Sequence, residues 1–405
     1  MNTYIFLTNQ YLPKPGATGV CVHQLAKHLV SEGNDVFTVC YEGNEPMGCS
    51  DGVKIVRVRP PVYLQEKRNT SPIAAKLQHM ESLASKLLHI TAYPLRSRAL
   101  VHRYEEAVEA LMKNRDNVKI IASYTPLEAV IAAAQVKKRY GDAVKAVYYS
   151  TDTLSNEQGE DGILPASYRQ ECGIRWEKKL FSVYDQILIM ECHKEHYFSD
   201  AFKSFCEKMR VVNFPLLVKT TQDECKTKEY SGKTRLIYAG TLYRKLRNPS
   251  FMLSLLTLLS KELDIEAFFL GSGDCEDILA KAESDSQNAI KFLGMQPHEA
   301  ALEYIDSADI LLSIGNAESP MAPSKIFEYM ASGKPIVHTY TYEKDPCLEP
   351  LRKYGNALII KEDDKLDISQ LQAFVASPKV VDFQTVAKIF QSSTPEYTTS
   401  LIEGL

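Results

Sequence analysis

Short runs of β-branched and aromatic residues recur along the chain, separated by stretches with helical periodicity. Runs at 4–7, 35–40 and 53–58 are predicted strands, and those at 119–122, 143–149 and 186–190 are further strands, rich enough in apolar residues to be buried. A helix is predicted over 20–32, closed by Gly33. A second series follows, with strands at 235–239, 266–270, 290–293, 310–313 and 335–338 and a helix over 249–263. This alternation predicts an α/β protein of two Rossmann-like units, each a parallel sheet wound with crossover helices. The polar run 219–233 has no apolar period and lies just after Pro215, so it reads as the hinge. The boundaries are drawn at 1–213 and 214–382. In open parallel sheets a ligand lies beyond the carboxyl ends of the strands, here in a cleft between the two units.

Composition narrows the function. The chain has 405 residues, 45% hydrophobic and 24% charged, with a formal net charge of −4. No global positive field exists to displace counterions from nucleic acid. No stretch approaches the ~20 apolar residues that span a bilayer, and the N-terminal apolar run lacks a basic flank. A cytoplasmic protein is expected. The nine cysteines are scattered and never spaced C-x-x-C, which argues for reduced thiols over a disulfide framework or a zinc site.

The richest segment runs from Glu318 through Ser319, Pro320, Met321, Ala322, Pro323, Ser324, Lys325, Ile326, Phe327 and Glu328 to Gly333-Lys334-Pro335. A loop leaves a strand, Pro323 starts a helix over 324–332, and Gly333 caps it. Orphan N–H groups at that N-terminus suit a diphosphate, and Lys325 adds a full charge. Glu328, one turn on, could accept two hydrogen bonds from a ribose diol. On residues alone, an ordinary helix with a surface Lys and Glu fits equally well.

This segment closely resembles the donor-site motif of GT-B fold glycosyltransferases, especially the retaining family 4, with its variant PSKxFEYMAxGKPVI. The resemblance implies that Glu328 binds the nucleotide ribose and Lys325 the pyrophosphate, with Glu318, Ser319, Ala322 and Ser324 in the donor loop. It also implies a C-terminal helix, 383–405, returning to the N-terminal domain, and same-face attack through an oxocarbenium-like state. One departure stands out: the fuller pattern E-x7-E would place a Glu where this chain has Pro320.

Three cations lie in Arg244-Lys245-Leu246-Arg247, in the turn after a strand. The family carries Arg and Lys here on the leaving diphosphate. Thr241 stands at the Arg position, and Arg247, then Lys245 or Arg244, falls nearest the Lys. Gly271-Ser272-Gly273 after the next strand would let the nucleotide approach the backbone, and it lacks the third Gly of a dinucleotide fingerprint. In the N-terminal half, Gly16-Ala17-Thr18-Gly19 resembles the family's glycine loop, with Thr18 and Gly19 facing the donor. Asp152, at the end of a strand, is a candidate to orient the acceptor hydroxyl, or else a turn cap. Ser123, Tyr124 and Thr125 could line the same pocket. His193 reads as structural.

Over 67–103 seven cations face one carboxylate, beside an apolar stripe of Ile73, Leu77, Met80, Ala84 and Leu87. That suits the inner face of a membrane or a lipid-linked acceptor, and equally a packed stripe with a solvated basic face. No Asp-x-Asp metal motif follows a strand, since Asp363-Asp364 sits in a charged run. No metal and no cofactor are therefore expected beyond a UDP- or GDP-sugar donor. The expectation is a retaining, metal-independent glycosyltransferase of surface polysaccharide or glycoconjugate synthesis, with Lys325, Arg247 and Asp152 at the reaction. An inactive GT-B partner subunit and a nucleotide-sugar epimerase of the same fold remain as alternatives.

Overall fold

The structure is a computed structural model that describes residues 2–13, 15–41, 47–59, 93–95, 97–155, 164–219, 232–317, 325–362 and 368–405. The chain divides into two compact units, Met1–Pro215 with Pro395–Leu405, and Leu216–Thr394.

The first unit holds β1 (Thr3–Leu7), β2 (Asp35–Cys40), β3 (Met47–Ser50), β4 (Val53–Arg57), β5 (Val118–Ser123), β6 (Val144–Ser150), β7 (Gln186–Met190) and β8 (Met209–Val212). They form one sheet in the order β3-β4-β2-β1-β5-β6-β7-β8, parallel except for the β3–β4 pair. Every residue of β1, β5 and β7 is buried, because helices cover both faces. Each aliphatic side chain so buried stabilises the fold by roughly 2 kcal/mol.

The second unit holds β9 (Thr234–Ala239), β10 (Ile265–Leu270), β11 (Ile290–Gly294), β12 (Ile310–Ile314), β13 (Ile336–Tyr340) and β14 (Ala357–Lys361). Their order is β11-β10-β9-β12-β13-β14, all parallel. Counted from β9, this is the 3-2-1-4-5-6 order of a doubly wound dinucleotide-type sheet. Its core gathers Leu236, Leu256, Phe269, Leu312 and Val337.

The predicted returning segment is shorter than drawn. The helix Phe383–Ile389 stays on the second unit, where Asp382 caps it by accepting from Thr385 N–H at 3.2 Å. Ser393 is tied there as well, its carbonyl accepting from Leu217 N–H at 3.0 Å. Only the helix Pro395–Glu403 joins the first unit. Lys119 of β5 fixes its end, donating to the carbonyls of Ile402 and Glu403 at 3.0 and 2.8 Å. The division after Pro215 likewise falls two residues beyond the expected boundary. Among the described residues no helix is long and apolar enough to cross a membrane.

Candidate functional site

The second sheet reverses its strand order between β9 and β12, which is where a doubly wound sheet opens a ligand crevice. The loop after β9 closes a tight turn in which Tyr243 and Arg247 exchange main-chain hydrogen bonds of 3.2 and 2.7 Å. The turn delivers the Arg247 side chain to the loop after β12. There Nε and Nη2 donate to Oδ1 of Asn316 at 3.0 and 2.7 Å, while Nη1 donates to the Thr241 carbonyl at 3.2 Å. The main chains are joined too, Ala317 N–H donating to the Leu246 carbonyl at 2.7 Å. A permanently charged guanidinium is thus fixed at the switch point.

Its two cationic neighbours behave differently. Arg244 is engaged elsewhere, paired with Asp277 and donating through Nε to the Asp274 carbonyl at 2.9 Å. These carboxylates follow β10, so Arg244 braces two loops together. Lys245 is exposed and pairs with no carboxylate among the described residues.

Gly271 and Gly273 serve the same bracing. They sit at φ +149° and +144°, and a Cβ on either would stand 1.8 Å from the Gly240 carbonyl or 1.6 Å from that of Leu242. The backbone they admit is that of the neighbouring loop, where the sequence reading put a nucleotide.

The helix after β12 is described from Lys325 to Ala331. Its inward face, Ile326, Phe327, Tyr329 and Met330, is buried. The Tyr329 hydroxyl accepts from Ala239 N–H at 2.8 Å and so locks the helix to the end of β9. Gly333 ends the helix at φ +72°, with Val381 packed where a side chain would point. Lys325 and Glu328, expected to have separate tasks, form an ion pair at 2.8 Å, side chains 31% and 13% exposed. Glu328 therefore aims the ammonium and balances its charge until an anion arrives. Glu318, Ser319, Pro320, Ala322 and Ser324 lie outside the described residues, as does most of the basic stretch 67–103.

Below the β12 loop His338, Asp345 and Cys347 cluster, all buried. Both ring nitrogens of His338 are hydrogen bonded, one to Ser313 Oγ at 2.9 Å and one to Asp345 Oδ2 at 3.3 Å. Asp345 Oδ1 accepts from Cys347 N–H at 2.7 Å, and Oδ2 fills the space a side chain at position 315 would need. The group is a hydrogen-bonded floor for the Gly315-Asn316 turn.

In the first unit, the helix Ala17–Ser31 starts earlier than predicted, so Thr18 and Gly19 belong to its first turn. Gly19 is obligatory there, since a Cβ would lie 2.1 Å from the Gln10 carbonyl. Thr18 Oγ1 lies 3.5 Å from Thr151 Oγ1, which brings the helix start to the loop after β6 that carries Asp152. Ser123 is fully buried, its hydroxyl 3.0 Å from the carbonyls of both Leu7 and Thr125, so its one hydrogen serves the backbone. His193 is buried, and desolvation with the nearby His196 lowers its pKa to about 4.

Asn316 escaped the sequence reading. Its signal was small, a polar residue two positions past an apolar strand.

Residues 233–370 match the family described as Glycosyl transferases group 1. A sequence search of curated proteins finds no match. Among solved structures, sucrose-phosphate synthase from Thermosynechococcus elongatus is similar at TM-score 0.58 and 13% identity, over 99% of this chain and 95% of that one. Anabaena Alr3699/HepE, solved in complex with UDP, matches at TM-score 0.58 and 14% identity over the whole of both chains. WaaG, a glycosyltransferase involved in lipopolysaccharide biosynthesis, matches at TM-score 0.51 and 13% identity over 99% and 98%. The fold is that of the GT-B glycosyltransferases.

Proposed function

We propose that this chain is a retaining glycosyltransferase that moves a sugar from a UDP- or GDP-sugar to an acceptor hydroxyl, without a divalent metal, in the assembly of a surface polysaccharide or glycoconjugate. The observation that carries the reading is the fixed cation Arg247 at the switch point of a sheet whose residues match a glycosyltransferase family. The UDP of the Anabaena structure supports a uridine nucleotide as the first donor to try.

The chemistry follows from charge. Breaking the bond from sugar to diphosphate leaves negative charge on the departing oxygen. Preorganised donors aimed at such a charge supply the largest catalytic contribution in most enzymes. Arg247 is preorganised by Asn316 and Lys325 by Glu328, so neither must be collected from solvent when the bond breaks. Two cations in these places do the work a metal ion would do. Asp152 in the first unit receives the acceptor hydroxyl and orients it. The family's same-face stereochemistry is carried over with the motif.

The test is a screen of UDP-, GDP- and ADP-sugars for hydrolysis and for protection against thermal unfolding, with and without EDTA. Turnover that survives EDTA and falls by about 10² to 10³ in Arg247→Ala supports the reading. Absence of nucleotide binding overturns it.

A further inference from the structure

Glu177 lies in the helix Ala166–Phe181 and is completely buried, with no Lys or Arg paired to it among the described residues. Burying a carboxylate without a cation is among the costliest placements in a core. Its neighbours show what the cost supports. Oε1 accepts from Leu154 N–H at 2.9 Å and lies 2.8 Å from the Tyr197 hydroxyl; Oε2 meets the Ser155 hydroxyl. Tyr197 Oη lies 2.9 Å from Ser150 Oγ, and Ser150 Oγ is 2.8 Å from the Asp152 carbonyl. The same helix touches the loop backbone directly, since a Cβ on Gly173 would stand 2.6 Å from Ser155 Cα. Everything Glu177 binds thus leads to the loop 150–155.

Counting hydrogens gives the proton's place. With Glu177 ionised, Tyr197 donates to it, and the single Ser150 hydrogen must choose between Tyr197 and the Asp152 carbonyl. With a proton on Oε1 the directions align: Glu177 donates to Tyr197, Tyr197 to Ser150, and Ser150 to Asp152. Each hydroxyl carries one hydrogen, so only the protonated state satisfies all three contacts together. On the other side the arrangement is complete either way, because Ser155 Oγ also meets His196 Nε2 at 2.6 Å.

We infer that Glu177 is the positioning residue of the loop that carries Asp152, and that it holds this loop through a proton relayed by Tyr197 and Ser150. The functional part of this rests on the acceptor role proposed for Asp152. Desolvation pushes the Glu177 carboxyl up to about 7, against its hydrogen bonds, so both protonation states are reached near neutrality. The titratable groups facing it are the hydroxyls of Tyr148 and Tyr197, and, across Ser155, the imidazole of His196 with His193 behind it.

The experiment follows hydrogen exchange of the 150–155 amides in the full chain between about pH 5.5 and 8.5, with β5 amides as reference. As pH rises, wild type is expected to lose protection in this loop, relative to β5, through a step centred at about 7. Tyr197→Phe, which keeps the Leu154 and Ser155 bonds, removes the step, and so does Glu177→Gln. Turnover should show the same step in kcat, falling on the order of 100-fold as the loop loosens, with nucleotide affinity unchanged. A step that persists unaltered in both variants overturns the inference, as does one that moves nucleotide binding equally. A protein with the exchange step but no turnover on any nucleotide sugar leaves the relay standing and refutes the transferase reading.

Discussion

The guanidinium of Arg247 and the side-chain oxygen of Asn316 meet at 2.7 and 3.0 Å, joining the loop after β9 to the loop after β12. These loops flank the one place in the second sheet where the winding changes direction. A flexible arginine there would lose rotamer freedom on gripping a phosphate. One already held by a buried amide does not.

Arg247→Ala should lower turnover by about 10² to 10³, the usual effect of deleting one donor to a developing oxyanion. Asn316→Ala leaves the charge but frees the side chain. A loss of roughly 10- to 100-fold is expected, the worth of a hydrogen bond to a charged group. The double variant should be no worse than Arg247→Ala alone, because Asn316 acts through the arginine. Additive losses in steady-state kinetics would show that Asn316 has a task of its own.

The Lys325–Glu328 pair makes a prediction about ligand choice. Lys325→Ala should weaken UDP and inorganic pyrophosphate alike. Glu328→Gln removes a carboxylate from beside the anion, so pyrophosphate should bind about fivefold tighter, a gain of about 1 kcal/mol. UDP, which would lose its ribose contact, should bind more weakly. Calorimetric titration of both ligands decides it: if the two move together, Glu328 has no ribose role.

The sequence shows the buried strands of both sheets well, and it misses β3, β8 and β14. All three are edges in the strand order. An edge strand is solvated on one side and short, so its pattern is mixed: β14 has no fully buried residue, and β8 alternates unevenly. At the proposed donor site, Lys325, Glu328 and Arg247 stand out in the sequence because charge coincides there with turn and helix signals. Arg244, Gly271 and Gly273 also brace neighbouring loops, which the sequence does not show because their partners, Asp277, Gly240 and Leu242, lie on other loops. Asn316 and Glu177 were missed for the same reason. Each matters through a partner distant in sequence, and a single chain shows no such pairing.

Two glycines of the first unit separate steric need from conformational preference. Gly19→Ala puts a methyl 2.1 Å from a backbone carbonyl that cannot rotate away, and should cost about 2–3 kcal/mol. Gly33 sits at φ +80° with nothing within 4 Å of an added Cβ. Gly33→Ala should cost only about 1 kcal/mol of backbone strain. Urea unfolding of both variants measures the difference, and equal costs would mean the approach of Gly19 to Gln10 relaxes freely.

Two buried groups of the first unit pull the pH dependence of stability in opposite directions. Burial raises Glu177 from 4.5 to about 7, so the stability it lends is present below about 4.5 and is lost as pH rises through about 7. Burial lowers His193 from 6.5 to about 4, so its share is present above 6.5 and lost as pH falls through about 4. Each shift corresponds to roughly 3 kcal/mol. Between about pH 4.5 and 6.5 the two slopes oppose, and this pair should leave the wild-type stability nearly level. Glu177→Gln removes one slope, so that variant should gain stability as pH rises across the window. His193→Gln removes the other and should lose stability over the same range. The check is unfolding free energy by urea at intervals across the window. Parallel profiles for wild type and both variants would mean that neither group is held away from its ordinary pKa in the folded protein.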